Sequence, residues 1–276
     1  MRVTAPASLS FIFKSHPHTD PVKSGSTGVG CTIDKKVTVT VKQDTKSCML
    51  FNGSKVTFPT AEYVVRQLTQ KPVAIHIISP LPLGSGFGIS GAASIAIAFA
   101  LNKLFHFKKT KEELALIAHT AEIINHTGLG SVATQITGGF LIKNKPGLPV
   151  SATRLPFTGD KLYAVIIDRL PTPSVLEDKD RVMKINRAAG SALSKIQEKQ
   201  KIVLKDILDI SYIFAKESGL LVSPVLLDII DTIRKSGGSA TMAMLGKVVI
   251  SNKKPHLDKN YRIEELIITN DVASVI

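Results

Sequence analysis

An apolar strand-like run, a glycine-rich turn and an alanine-rich run follow one another between Val73 and Leu104, and this succession limits the fold more than any other passage. The run Val73 to Ser79 leads into Pro82-Leu83-Gly84-Ser85-Gly86-Phe87-Gly88-Ile89-Ser90-Gly91-Ala92-Ala93, and the apolar run Ser94 to Leu104 comes next. Four glycines in eight residues let the backbone take positive φ and come close to a ligand. The helix that follows offers free N–H groups and the positive end of its dipole to whatever fills the loop. A polyphosphate is the natural occupant, and Ser90 at the helix mouth is placed to ligate a phosphate oxygen or its Mg²⁺.

Two familiar phosphate loops fail here. A Walker loop needs Lys and then Ser or Thr after its last glycine, and no Lys occurs before Lys103. The dinucleotide fingerprint matches at Gly86, Gly88 and Gly91, but Pro80 and Pro82 separate the strand from the glycines. That fold also requires an acidic residue about 20 positions on, where His106 to Lys109 is basic. The plain structural alternative is a turn whose glycines only let a helix pack close to a sheet.

The 276 residues suffice for one large or two small domains with a substantial core. A 44% hydrophobic and 21% charged composition is that of a globular chain. The longest apolar run, Ile89 to Leu101, is shorter than the ~20 residues that span a bilayer, and Met1 to Ser15 has no secretion-signal pattern. A cytoplasmic protein with no membrane association is expected, with Cys31 and Cys48 as free thiols. The net charge of +13 raises the question of nucleic acid, but the basic residues are dispersed and the aromatics (5%) do not interleave with them. No nucleic-acid partner is expected; a lysine-rich surface with pockets for anionic substrates accounts for the charge.

Strands are predicted at Arg2 to Phe13 and at Lys36 to Lys42, where Val37, Val39 and Val41 alternate with Thr38 and Thr40. Short strands flank the Asn52-Gly53 turn, and a helix covers Ala61 to Gln70. Thr110 with Glu113 forms a capping box opening a helix that reaches about His126. Ser131 caps a further turn, and a strand covers Phe140 to Lys143. Three prolines and two glycines between Lys145 and Gly159 mark the predicted boundary of domains 1–150 and 151–276. Beyond it come a strand at Leu162 to Asp168 and helices near Lys179 to Lys199, Leu204 to Glu217 and Pro224 to Lys235. A second glycine-rich passage, Gly237 to Gly246, enters the C-terminal strands. Strands segregated from helices argue for an α+β fold.

Three segments in fixed order carry a family resemblance: Ala5-Pro6-Ala7-Ser8 with the glycine-rich Ser24 to Gly30, the Pro82 to Ala93 loop, and Gly237 to Gly246. This layout resembles the GHMP kinases. Within them, Gly86-Phe87-Gly88-Ile89-Ser90-Gly91-Ala92, Thr127-Gly128-Leu129-Gly130 and Met242-Ala243-Met244-Leu245-Gly246 are similar to the archaeal pantoate kinases. The resemblance implies an N-terminal ribosomal-protein-S5-like α/β domain and a C-terminal α+β domain, with ATP and acceptor between them. It implies phosphoryl transfer from ATP to a hydroxyl of pantoate, in coenzyme A synthesis, by a chain that forms a homodimer. By position, the backbone from Gly84 through Ser85, Gly86, Phe87, Gly88, Ile89, Ser90 and Gly91 to Ala92 cradles the phosphates. Ser90 and Glu122 hold Mg²⁺, and His16, Asp20, Ser24, Gly25, Ser26 and Gly28 line the acceptor pocket.

One position departs from the family pattern. The family's catalytic Asp falls nine residues after its acidic metal ligand, where this chain has Ser131. A serine caps the following helix but is no carboxylate base near neutral pH. A base contributes roughly 10²–10⁴-fold, so phosphoryl transfer survives without one; Asp20, His16 and His18 of the N-terminal segment are candidate substitutes, each otherwise an ordinary polar loop residue. The alternatives are a GHMP kinase for another small hydroxy acid or alcohol, and a catalytically impaired nucleotide-binding relative. The carboxylate of pantoate calls for a cationic partner, with Arg154, Arg169, Lys23 and Lys143 as candidates.

Overall fold

The computed structural model describes residues 1–168, 176–257 and 259–276. Its framework is an antiparallel pair of long strands, β1 (Arg2–His16) and β2 (Gly25–Gln43), in register from Arg2 opposite Thr40 to His16 opposite Gly25. The alternation along β2 sets its two faces: Val37, Val39 and Val41 are fully buried and Thr40 is exposed. The strand starts earlier than its valines suggest, because the glycine-rich stretch from Gly25 to Gly30 is the beginning of β2. Two register shifts in the pairing, between Pro6 and Ser8 and between Ser10 and Ile12, bend β1 at this point.

β2 is the hub of the sheet. It pairs with β5 (Val73–Ile78), β6 (Phe140–Lys143) and, through Ile268 opposite Ile33, with β11 (Arg262–Thr269). β3 (Cys48–Phe51) and β4 (Ser54–Lys55) extend one edge beyond β5, and β7 (Ala152–Leu155) pairs with β6. On the other side β11 leads to β8 (Lys161–Asp168), β10 (Lys247–Ser251) and β9 (Ala240–Met242), while β12 (Ser274–Val275) pairs with β1. Strands from both sides of the proline-rich stretch 145–159 therefore share hydrogen-bonded pairing.

Helices cover this sheet. α1 (Pro59–Leu68), α2 (Ile89–Phe105) and α3 (Lys111–Ile124) pack together, with α2 against β1 and β2. α2 is buried nearly all round, and its alanines at 92, 93, 96, 98 and 100 let it lie close to its neighbours. The capping box of α3 forms as expected: Glu113 N donates to Thr110 Oγ1 at 3.2 Å and Thr110 N to Glu113 Oε2 at 2.7 Å. A short helix α4 (Ser131–Thr137) follows. α5 (Lys179–Gln197) and α6 (Leu204–Glu217) pack against each other and on β1, and α7 (Pro224–Lys235) lies on β9 and β10. Among the described residues, no helix is long and apolar enough to cross a membrane, and Cys31 and Cys48 are free thiols.

Candidate active site

The glycine turn between β5 and α2 is held on both sides by main chain. Gly84, Gly86 and Gly88 have φ of 79°, 86° and 62°, so each takes a conformation that side chains resist. A Cβ on Gly86 would lie 3.1 Å from Gly246 Cα, and one on Gly246 would overlap the Ser85 carbonyl. The second glycine-rich passage is thus the wall on which the first one rests. On the opposite side Ser8 N donates to Phe87 O at 2.9 Å. Phe87 and Ala92 are fully buried and Ile89 nearly so; these three anchor the turn, while Gly84, Gly86, Gly88 and Ser90 border an open cleft. Ser85 turns its hydroxyl inward, where it has no partner. Gly88 gives α2 no side-chain cap, so the first turn of this 17-residue helix keeps its N–H groups for a ligand.

Across the cleft stand α3, α4 and β6. Ser90 Oγ donates to Thr127 Oγ1 at 3.3 Å. Glu122 on α3 is 1% exposed, and Ser131 Oγ at the start of α4 lies 2.6 Å from each of its carboxylate oxygens. Burial pushes the Glu122 carboxyl up to about 7; the Ser131 hydroxyl, the Val132 N–H and the charge of Lys143 pull the other way. Gly128 has no room for a side chain because the Glu122 carboxylate fills that space. Lys143, on β6, donates from Nζ to Gly130 O at 3.1 Å and to Ser26 Oγ at 3.2 Å. Burial pushes its ammonium down to about 8, against the attraction of Glu122. His119, one turn before Glu122, points Nε2 at Ser24 O, 2.9 Å away, and its Nδ1 has no partner. Burial lowers the pKa of its ring and outweighs the Ser24 carbonyl, with Lys143 adding to the effect.

The cleft therefore gathers Ser90 and Ser131, with Glu122 directly behind. Of the six residues expected to line the acceptor pocket, Ser26 is the one that reaches it, beside Val29 and Gly30 of the same stretch. His16 sits beside Thr27 Oγ1 at 2.9 Å, and burial, with Lys14 nearby, lowers its pKa. Asp20 and His18 belong to the turn between β1 and β2: Asp20 Oδ1 accepts from Val22 N, and His18 Nδ1 accepts from Asp20 N. Ser24 closes that turn through the main chain of His18. Gly25 and Gly28 are strand residues. Of the four basic candidates, Lys143 lines the cleft and Arg154 is engaged elsewhere, with Asn270 Oδ1 and Thr137 O. Lys23 is exposed on the β1–β2 turn, and Arg169 lies outside the described residues. Ser8 and Thr127, both members of segments that carry the family resemblance, also line the cleft. Gln135, buried beside it, has no motif to announce it; its one sequence signal is a polar residue in the buried short helix α4. Among the described residues, no group of three or more His, Cys, Asp or Glu is arranged around a metal position.

The chain that builds this cleft has known counterparts. The family profile described as "GHMP kinases N terminal domain" matches residues 55–139, the stretch from β4 to α4. The pantoate kinase of Methanospirillum hungatei is 33% identical over 255 residues, spanning 89% of this chain and 85% of that protein. The pantoate kinase of Methanocaldococcus jannaschii is 29% identical over 275 residues, spanning 96% and 98%. A solved structure titled "Phosphotransferase related to CoA biosynthesis pathway" superposes with a TM-score of 0.83 at 26% identity, covering 99% of this chain and 98% of its own. With similarity this extensive running through the very elements that build the cleft, the chain belongs to the pantoate kinase family of the GHMP kinases.

Proposed function

We propose that this chain transfers the γ-phosphoryl group of ATP to a hydroxyl of pantoate, with the phosphates in the glycine turn and the acceptor at Lys143. The observation that carries this reading is the single cleft onto which the α2 N-terminus, Ser90, Ser131 and Lys143 open, with Glu122 behind them. Positioning and charge neutralisation make up most of phosphoryl transfer. The first turn of α2 and the turn glycines supply N–H donors to the phosphate oxygens. Beside the turn, a second cavity sets apolar Phe51, Val56, Leu81 and Leu83 among polar Asn52, Ser79 and Arg262, a mixture that suits a purine's apolar faces and polar edge.

Ser90 and Glu122 suit Mg²⁺, which takes one or two carboxylates and completes its shell with substrate phosphates and water. A carboxyl that burial has pushed up to about 7 regains its charge beside a cation. Mg²⁺ held there would neutralise charge on the transferring group. Lys143, held by Gly130 O and Ser26 Oγ, offers its remaining N–H to the acceptor carboxylate. Ser131 directs its proton to Glu122 and so fixes that carboxylate rather than deprotonating the acceptor. Among the described residues no carboxylate lines the cleft surface, and Glu122 behind it is committed to Ser131 and to the metal, so the acceptor hydroxyl keeps its proton until late in a loose transition state. A cytoplasmic location, where ATP is made, and a homodimer complete the proposal.

The test is acceptor-dependent ADP release with Mg·ATP. Turnover is expected with pantoate and not with homoserine, mevalonate or shikimate, and Lys143→Met should raise the KM for pantoate at least ~10-fold while leaving the KM for ATP unchanged. Turnover with a different acceptor would overturn the substrate. ATP binding without any turnover, restored by Ser131→Asp, would mark a disabled kinase.

A further inference from the structure

We infer that Gln135 is a positioning residue for the nucleotide: it holds the Gly88 carbonyl from behind and so turns backbone N–H groups into the cleft. The inference rests on the reading that the glycine turn takes the phosphates of ATP, and it deepens that reading by naming what sets the turn's polarity.

Gln135 lies one turn along α4 from Ser131 and is fully buried. Its Nε2 donates to Gly88 O at 2.8 Å and to Ser8 Oγ at 3.2 Å. Two oxygens facing one end of the amide fix its orientation, since the flipped amide would set oxygen against the Gly88 carbonyl. The previous carbonyl, Phe87 O, is held on the same side by Ser8 N at 2.9 Å. In a planar trans peptide the N–H points opposite to the C=O. Both carbonyls are drawn to groups buried on one side of the turn: the Gln135 amide, which is fully buried and does not line the cleft, and the Ser8 main chain. The N–H groups of Gly88 and Ile89 therefore point away from that buried side, to where Gly88, Ile89 and Ser90 border the cleft. Successive N–H groups aimed one way form an anion-binding concavity. The Gly88 carbonyl also accepts Ala92 N at 3.0 Å, so Gln135 sets the direction of the first α2 peptide as well as the end of the turn.

The other end of the side chain argues against simple space filling. Gln135 Oε1 is buried with no partner. It lies 2.9 Å from where a Cβ would stand on Gly91, a point that Ser131 Oγ and Glu122 Oε1 also approach, at 2.7 and 3.0 Å. An apolar side chain of equal length would fill this space without burying an unsatisfied carbonyl. A glutamine here leaves its acceptor unmet while both its donors are in use, and the donors act on the turn. The main chain of Gln135 is fixed in turn by Ala273 N, which donates to its carbonyl at 3.1 Å.

The experiment compares equilibrium binding of ATP and of adenosine to the full-length chain and to Gln135→Met, which keeps the volume and removes the donors. The dissociation constant for ATP is expected to rise about tenfold and that for adenosine to stay within about twofold. In turnover, the KM for ATP should rise and the KM for pantoate should not. Equal losses for ATP and adenosine, or no loss for either, would overturn the inference. Should Gln135→Met misfold, Gln135→Glu, of the same length but without N–H donors, carries the same expectation. The unmodified chain gives a check free of any variant: ATP, and not adenosine, should shift the amide resonances of Gly88 and Ile89, and unshifted amides with bound ATP would equally overturn the inference. An unmodified chain that does not bind ATP would instead refute the kinase reading itself.

Discussion

Two glycine-rich passages, Ser24 to Gly30 and Gly84 to Gly91, have similar compositions and opposite uses. In the second, glycines bend the chain through left-handed conformations and leave one side of the turn open to a cleft. In the first, the chain is extended in β2, with Gly28 alone at positive φ (145°), and the missing side chains make room for neighbouring main chain. A Cβ on Gly28 would run into the Ile12 carbonyl, one on Gly30 would lie 2.7 Å from Leu9 O, and one on Gly25 would lie 2.5 Å from Gly147 N. Glycine in a sequence therefore announces that something approaches the backbone. Whether this is a ligand or another strand depends on what precedes it: a strand that ends at Ile78 in one case, a strand that has just begun in the other.

The sharpest way to break this contrast is to put a methyl group in each passage. Gly28→Ala should cost about 3 kcal/mol or more of stability in denaturant unfolding, while whatever folds keeps its KM for ATP. Gly88→Ala, pressed against the more yielding Ser8 side chain, should cost about 1–3 kcal/mol and raise the KM for ATP at least ~10-fold. Exchanged signatures would erase the distinction.

Next in size is Glu122→Gln, expected to lower kcat about 10²-fold or more. Its effect on stability has a definite sign. The Glu122 carboxyl is raised in the folded chain from 4.5 to about 7, so the folded state binds the extra proton between those values. Its contribution therefore makes stability fall as pH rises through that window, and the penalty persists above it. Glutamine does not ionise, so in the absence of nucleotide the Tm of the variant relative to the unmodified chain should rise from pH 4.5 to 7. A flat difference would show that the carboxylate is better compensated than its surroundings suggest. The smallest effect belongs to the turn between β1 and β2, where Asp20→Asn should change the KM for pantoate less than about threefold, because the side chain serves Val22 N. A tenfold rise would bring that turn back to the acceptor.

Local signals in the sequence were the most readable. The Thr110–Glu113 capping box, the alternating valines of β2 and the helices α5 to α7 stand close to where periodicity and caps predict them. The Ser24 to Gly30 segment was not readable as strand, since its β character derives from pairing with β1 and β6 rather than from its own residues. β7 formed inside the proline-rich stretch 145–159 for the same reason, by pairing with β6. At the site, Ser90 and the turn glycines follow from their own spacing. Gln135 and Ser8 act on the turn across 47 and 79 positions of chain, and no local pattern encodes such contacts. Lys143 was one of four basic candidates, separable from the rest only by the fold that brings β6 alongside β2.

The wedge in which the glycine turn sits has a consequence for how the protein is made. Ser8 and Gln135 hold the turn at Gly88 and Gly246 meets it at Ser85 and Gly86, so the turn's shape depends on contacts of very long sequence separation. Such contacts form late, after most of the chain's entropy has been lost. A nascent chain that has not yet emerged past Gly246 lacks one wall of the cradle, however well β1, β2 and α2 have assembled. Nucleotide capture would then be among the last properties acquired during synthesis, and ATP, by binding only the finished arrangement, would stabilise the whole fold rather than the loop it touches.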